Sequence, residues 1–174
     1  MYNVLFVCQG NICRSPMAEM IFKQLIRNYK KSNIMKCESR ATSTSEYGQD
    51  MYPKAQQELI KHHIRVDRNV VDVVKADDYE KFNVIVCMDN QNYFDLIAIF
   101  GGDPEDKIRL MMNFIGKSEE IEDPWYTDDF ETAYAQIEEC CIALFNILLK
   151  QYKKYIEQVQ ASRANQVLMA NNQH

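Results

Sequence analysis

The first residues of the chain that could do chemistry run from Cys8 to Ser15 and read Cys-Gln-Gly-Asn-Ile-Cys-Arg-Ser. Arg14 follows Cys8 by six positions, so both side chains can face one bound group if the intervening residues curl into a loop. A cysteine thiolate is a nucleophile, and a guanidinium matches two oxygens of a phosphate. The stretch therefore indicates nucleophilic attack on a bound phosphate dianion.

The segments on either side of this loop favour an anion cradle. Residues 4–7 are a continuous apolar run, typical of a strand buried on both faces of a parallel sheet. A helix pattern begins at Ser15, with Pro16 acceptable in its first turn. The loop N–H groups and the helix N-terminus would then point at a bound anion. Gly10 and Asn11 are residue types that tolerate the left-handed backbone angles of a tight cradle.

The spacing of Cys8 and Arg14 alone leaves a structural interpretation open. Cys8 could be a buried core residue, with Arg14 on the surface by coincidence. The position of the motif between a buried strand and a helix start favours chemistry instead. Ser15 adds to this, because its hydroxyl can donate a hydrogen bond to a Cys8 thiolate.

Strands and helices alternate along the rest of the chain. Further strands are predicted at 35–41, 84–88 and 108–112, and further helices at 55–64, 90–100 and from about 130 onward. Asp128 is expected to cap the last helix, with Glu131 completing a capping box. The pattern predicts a single α/β domain with a four-stranded parallel sheet flanked by helices on both faces, and a phosphate-binding loop after the first strand.

Composition limits the partners of the chain. It has 174 residues and a net charge of -5, without the basic clusters that nucleic-acid binding requires. Apolar runs fall short of the roughly 20 residues of a membrane helix, and the apolar start lacks the basic residues of a secretory signal. We expect a cytoplasmic monomer that binds neither nucleic acid nor a membrane.

The cysteines argue against a metal centre and a disulfide scaffold. Six cysteines and three histidines are present, and the cysteine spacing does not match a zinc site. A chain of this length can build a core without disulfides. Free thiols in a reducing compartment, with no metal and no cofactor, are therefore expected.

Several segments resemble the low-molecular-weight protein tyrosine phosphatases. Residues 7–19, which contain the cysteine loop, resemble the signature of that family, and the match covers about residues 2–150. Further matching segments follow in the family's order at 39–43, 78–82, 87–92, 122–126 and 129–134. The resemblance implies a phosphatase domain over residues 1–155. Residues 156–174 are then a tail, expected to extend the last helix or to be disordered.

The resemblance implies hydrolysis of phosphotyrosine in proteins, with inorganic phosphate as product and no metal. Cys8 would be the nucleophile and Arg14 the phosphate clamp. Asp123, held extended by the proline that follows it, would be the general acid and base. The substrate-binding residues would be Gln9, Gly10, Asn11, Ile12, Cys13, Ser15, Trp125 and Tyr126, with Ser39 and Asp89 as supporting residues.

Some positions depart from the family's pattern. Ser45 stands where the family usually has an aromatic residue, Tyr52 where it has an acidic one, and Arg68 or Asn69 where it often has a histidine. These departures bear on substrate preference. Cys13 resembles the second cysteine of the family, which can form a reversible disulfide with the nucleophile, but it could equally be a small packing residue.

Three alternative functions compete with the phosphatase interpretation. An arsenate reductase of the same fold would share the loop, but it needs two further cysteines close together, and Cys87 has no near neighbour in sequence. A catalytically silent phosphate-binding module would not need Cys8, Arg14 and Asp123 together. A sugar-transport phosphocarrier would use a cysteine loop without Arg14 or Asp123.

Overall fold

Strand β1 (Tyr2–Cys8) lies in the interior of a four-stranded parallel sheet, as its apolar run predicts. The computed structural model describes residues 1–171, and its strand order is β2-β1-β3-β4. The other strands are β2 (Met35–Ala41), β3 (Val84–Cys87) and β4 (Ile108–Leu110). The helices are α1 (Arg14–Asn28), α2 (Pro53–Lys61), α3 (Asp78–Lys81), α4 (Asn90–Phe100), α5 (Pro124–Thr127) and α6 (Phe130–Asn171).

Helices cover both faces of the sheet, because successive side chains of a strand point to opposite sides. Val4, Phe6 and Cys8 of β1 belong to the larger core cluster, which includes residues of α1, α2 and α6. Leu5 and Val7 belong to the smaller cluster, which includes residues of α3 and α4. The predicted four-stranded α/β fold is confirmed.

The β1 register places the cysteine loop at the carboxyl edge of the sheet. Cys8 ends β1 and lies opposite Ala41 of β2, and Val7 lies opposite Cys87 of β3. Ligands of open parallel sheets bind at the carboxyl ends of the strands. Residues that follow β2 and β3 are therefore brought to the loop from either side.

The start of α6 differs from the prediction. Asp128 has a left-handed backbone (φ 58°) and ends α5, so the predicted Asp128 cap is wrong. Asp129 takes that role, since its carboxylate accepts from the Thr132 N–H at 3.0 Å and the Thr132 hydroxyl at 2.7 Å. The short helix α5 was not predicted, and its presence shifts the cap by one residue. Strand β4 is also shorter than predicted, because residues from Met111 to Ile115 turn into a 3-10 helix.

Helix α6 has 42 residues and leaves the packed core partway along its length. Its last buried residue is Leu148, and residues 157–171 are exposed except for Val159. The tail is thus helical through Asn171, while residues 172–174 of the predicted tail lie outside the described residues. By length and composition α6 could cross a membrane, but 44% of its most apolar window is buried within the protein.

Two leucines of α6 provide a matched test of this boundary. Leu148 is 2% exposed and Leu168 is 61% exposed. Leu148→Ala removes buried contacts and should lower the free energy of unfolding by about 2–5 kcal/mol, while Leu168→Ala should change it by less than about 0.5 kcal/mol. Urea denaturation followed by circular dichroism measures both, and equal losses would mean that the tail packs as tightly as the core.

Candidate active site

The loop of residues 8–15 is fastened to its surroundings by main-chain hydrogen bonds. The Cys8 carbonyl accepts from Thr42 N–H at 3.0 Å and the Gln9 carbonyl from Ser43 N–H at 3.0 Å. The Ile12 carbonyl accepts from Tyr52 N–H at 2.8 Å. With these carbonyls satisfied from outside, the loop N–H groups are free to serve its interior, as an anion cradle requires.

Asn11 is the residue that turns the loop, with a left-handed φ of 56°. Gly10 was also predicted to tolerate a left-handed backbone, but its φ is not positive. The glycines with positive φ in the described chain lie outside this loop. Asn69 holds Asn11 in place by donating from Nδ2 to the Asn11 carbonyl at 3.0 Å. Asn69 therefore supports the loop from a segment outside it.

The Cys8 sulfur lies at the centre of a set of hydrogen-bond donors. Its Sγ is 3.0 Å from the Ser15 hydroxyl and accepts from the Asn11 N–H at 3.3 Å. Asn11 Nδ2 donates in turn to Ser15 Oγ at 2.8 Å, which leaves the Ser15 proton for the sulfur. The loop therefore directs two donors, the Ser15 hydroxyl and the Asn11 N–H, at the Cys8 sulfur.

Arg14 is buried and joins three parts of the chain. Its Nη1 donates to Asp89 Oδ2 at 2.8 Å and to the Ile121 carbonyl at 2.7 Å, and its Nη2 lies 3.4 Å from Asp123 Oδ2. Burial alone would lower the pKa of the Arg14 guanidinium, but Cys8, Asp123 and Asp89 outweigh it and raise that pKa. A permanent cation therefore lies beneath the pocket.

Asp123 approaches the pocket from residues 121–128, which we call the acid segment. It caps α5, with Oδ1 accepting from the Trp125 N–H at 3.1 Å. Its other oxygen faces Arg14, and its side chain is 24% exposed. A partly exposed carboxylate across the pocket from a sulfur nucleophile is placed to exchange protons with a bound group.

One pocket brings most of the predicted site residues together. Its lining residues are Cys8, Gln9, Gly10, Ile12, Cys13, Arg14, Ser45, Glu46, Asp123, Trp125 and Tyr126. Asn11 and Ser15 are not on the pocket surface but lie fully buried beneath the sulfur. Glu46 was not predicted as a site residue, although its neighbour Ser45 is one of the positions that depart from the family's pattern.

The two supporting residues have different positions. Asp89 accepts a hydrogen bond from Arg14 and also caps α4 by accepting from the Asn92 N–H at 2.8 Å. One carboxylate therefore holds Arg14 and the start of a helix. Ser39 does not contact the loop directly. Its hydroxyl donates to the buried Glu19 of α1, and its link to the loop passes through that helix.

Cys13 lines the pocket and is itself buried. Burial is the main cause that raises the pKa of its thiol far above the ordinary value, and a charged Cys8 adds to the effect. All six cysteines are free. A disulfide between Cys8 and Cys13 stays a prediction.

The site offers groups for acid, base and nucleophilic chemistry. Within residues 1–171, no group of three or more His, Cys, Asp or Glu side chains could hold a metal ion. The site combines the Cys8 sulfur, the buried Arg14 cation, the Asn11 N–H directed at the sulfur and the Asp123 carboxylate. These groups suit the transfer of a phosphoryl group to sulfur.

Comparison with known proteins gives a consistent result. A family model described as low molecular weight phosphotyrosine protein phosphatase matches residues 3–158. A protein of that name from Gallus gallus is 40% identical over 146 residues, covering 81% of this chain and 92% of the relative. The low molecular weight protein-tyrosine-phosphatase PtpA of Staphylococcus epidermidis is 34% identical over 151 residues, covering 86% of this chain and 96% of the relative.

Solved structures resemble the fold over nearly their whole length. The crystal structure of YfkJ from Bacillus subtilis matches with a TM-score of 0.83 and 31% identity, covering 87% of this chain and 96% of that one. The low molecular weight protein tyrosine phosphatase SP-PTP from Streptococcus pyogenes matches with a TM-score of 0.78 and 34% identity, covering 88% and 98%.

The bond from Asn69 to the loop can be tested against an exposed bond of the same kind. Asn69→Ala leaves the buried Asn11 carbonyl without its donor and should cost about 1–3 kcal/mol of unfolding free energy, with weaker binding of inorganic phosphate. Asn113→Ala removes an exposed amide-to-carbonyl bond to Lys117 of 3.0 Å, and water can replace it. Denaturant titration and calorimetric phosphate binding measure both variants, and identical behaviour would contradict a role for Asn69 in the loop.

Proposed function

This chain belongs to the low-molecular-weight phosphotyrosine protein phosphatase family and has its phosphotyrosine phosphatase activity, and we propose that Cys8, Arg14 and Asp123 carry out the reaction. The observation that supports these roles is their convergence on one pocket. Each reaches it from a different part of the chain: the end of β1, the start of α1 and the acid segment. The reaction proceeds in two steps.

In the first step the Cys8 thiolate attacks the phosphorus of the bound phosphotyrosine. The S–P bond forms as the bond from phosphorus to the tyrosyl oxygen breaks. The leaving oxygen takes a proton from the Asp123 carboxyl group. The negative charge of the sulfur passes to the leaving oxygen and, once the proton has moved, to the Asp123 carboxylate. Ser15 and Asn11 then donate to a neutral sulfur instead of a thiolate.

In the second step water hydrolyses the cysteinyl-phosphate. The Asp123 carboxylate accepts a proton from the water, whose oxygen bonds to phosphorus as the S–P bond breaks. Inorganic phosphate and the Cys8 thiolate result. Arg14 and the loop N–H groups stabilise the phosphoryl oxygens in both steps, and because they are fixed by the fold they need little reorganisation.

The pocket walls support an aryl phosphate as substrate. Trp125 and Tyr126 are 52% and 78% exposed at the pocket, and aromatic side chains at such a place can pack on a phenyl ring. Ser45 and Glu46 also line the pocket and add no aromatic ring to it. Phosphotyrosine on a protein surface fits this arrangement.

The cysteines support a cytoplasmic location, which we infer together with a monomeric state. All six are free and buried, as expected in a reducing compartment. They also give no support to arsenate reduction. Besides Cys8, the cysteine that lines the pocket is Cys13, while the other four lie in the core.

Two variants test the roles of Cys8 and Asp123. Cys8→Ser should abolish metal-independent hydrolysis of p-nitrophenyl phosphate, because it removes the nucleophile. Asp123→Ala should lower kcat by at least about 100-fold by removing the general acid and base. Both are assayed near pH 5–6 with chelator and reductant. The matched control is Cys140→Ala, a buried cysteine of α6 remote from the pocket, which should retain turnover.

Hydrolysis of p-nitrophenyl phosphate by Cys8→Ser would contradict this proposal. So would the absence of hydrolysis by freshly reduced wild-type protein.

Alkylation by iodoacetate should distinguish Cys8 from the other cysteines. Burial raises the pKa of the Cys13, Cys37, Cys87, Cys140 and Cys141 thiols. These thiols stay protonated and unreactive until strongly alkaline pH, because a raised pKa delays thiolate formation. Near neutral pH, one equivalent should react at Cys8, and inorganic phosphate should slow the reaction. Peptide mapping by mass spectrometry checks this, and equal labelling of Cys13 would contradict it.

A further inference from the structure

Tyr52 joins the phosphate-binding loop to the acid segment. Its main-chain N–H donates to the Ile12 carbonyl at 2.8 Å. Its ring contacts the Trp125 ring edge to face, with centroids 5.0 Å apart and planes at 65°. On its other side the ring packs against Phe130 at the start of α6, at 6.0 Å. One residue therefore holds the loop by its backbone and the acid segment by its side chain.

The acid segment depends on such outside contacts for its position. Helix α5 has four residues, and a single turn is not stable by itself. The other link from α2 is the ion pair between Lys54 and Asp128 at 2.5 Å, whose side chains are 50% and 69% exposed. An exposed pair of this kind contributes little. The aromatic contact is the stronger of the two links, because edge-to-face rings attract beyond the area they bury.

Tyr52 can influence the reaction only through the residues that it holds. Trp125 and Asp123 line the pocket, whereas Tyr52 does not. The Trp125 N–H donates to Asp123 Oδ1 at 3.1 Å. A continuous set of contacts thus runs from the Tyr52 ring through Trp125 to the Asp123 carboxylate.

We propose that Tyr52 is a positioning residue that holds Asp123 in place for proton transfer. The inference rests on the proposed role of Asp123 as general acid. Displacement of a catalytic group by about 1 Å can cost on the order of 100-fold in rate. A contact that holds the one-turn helix α5 in position should therefore affect the rate. Tyr52 is also one of the positions at which this chain is expected to depart from the family's pattern.

The test compares two aryl phosphates that differ in their need for a proton. Phenyl phosphate has a poor leaving group and depends on the general acid, whereas 2,4-dinitrophenyl phosphate has a good one and does not. Tyr52→Leu should lower kcat/KM for phenyl phosphate by about tenfold and that for the dinitrophenyl ester by less than about twofold. Tyr52→Phe keeps the ring and should restore most of the loss.

Two controls separate positioning from a general loss of structure. Lys54→Ala removes the exposed ion pair and should leave kcat/KM for both esters within about twofold of wild type. In Tyr52→Leu the inhibition constant of inorganic phosphate should be unchanged, because the residue 52 N–H still supports the loop. Equal losses on both esters, together with weaker phosphate inhibition, would overturn the proposal and leave Tyr52 as a support of the loop.

Asp123→Ala shows which proposal fails. It should produce the leaving-group-dependent loss itself, and adding Tyr52→Leu to it should cause no further selective loss. If Asp123→Ala lacks that selectivity, the general-acid role and the positioning inference both fall. If Asp123→Ala shows it but Tyr52→Leu does not, only the positioning inference falls.

Discussion

The structure depends on one buried cation, the guanidinium of Arg14. A buried charge must be paired and hydrogen-bonded, and removing a partner typically costs about 3–5 kcal/mol. Asp89 at the end of β3 and the Ile121 carbonyl of the acid segment meet this demand at 2.8 Å and 2.7 Å. Because the Arg14 guanidinium needs these partners, it holds Asp89 and the acid segment beside the cysteine loop. The same side chain lines the pocket in which we propose that phosphate binds.

The floor of the pocket, residues 8–15, and its rim, Trp125 and Tyr126, have different functions in the proposed reaction. In that reaction the floor binds a compact dianion, and this loop is fastened by Thr42, Ser43, Tyr52 and Asn69. The rim must admit an aromatic ring attached to a protein, and Trp125 and Tyr126 remain largely exposed there. Fixed donors stabilise developing charge without reorganisation, while an exposed rim tolerates substrates of varied sequence.

Cys8 and Arg14 could be predicted from the sequence because they lie in one short loop, whereas Asp123, distant in sequence, was predicted only from the family resemblance. Residues 8–15 lie between a buried strand and a helix, and both flanking elements have clear patterns. The helix α5 could not be predicted, since four residues carry no periodic signal, and missing it placed the α6 cap at Asp128 instead of Asp129. Glu46 and the Asn69 bond also escaped, because both depend on how distant loops meet at the sheet edge.

The most direct test of the account is to locate the phosphate on the enzyme during turnover. Wild-type protein mixed with an aryl phosphate is quenched rapidly, digested and mapped by mass spectrometry, with Cys8→Ser as the control. We expect phosphate on the Cys8 sulfur in wild type and none in the variant. Phosphate on another residue, or steady turnover with no phosphate on Cys8, would contradict it.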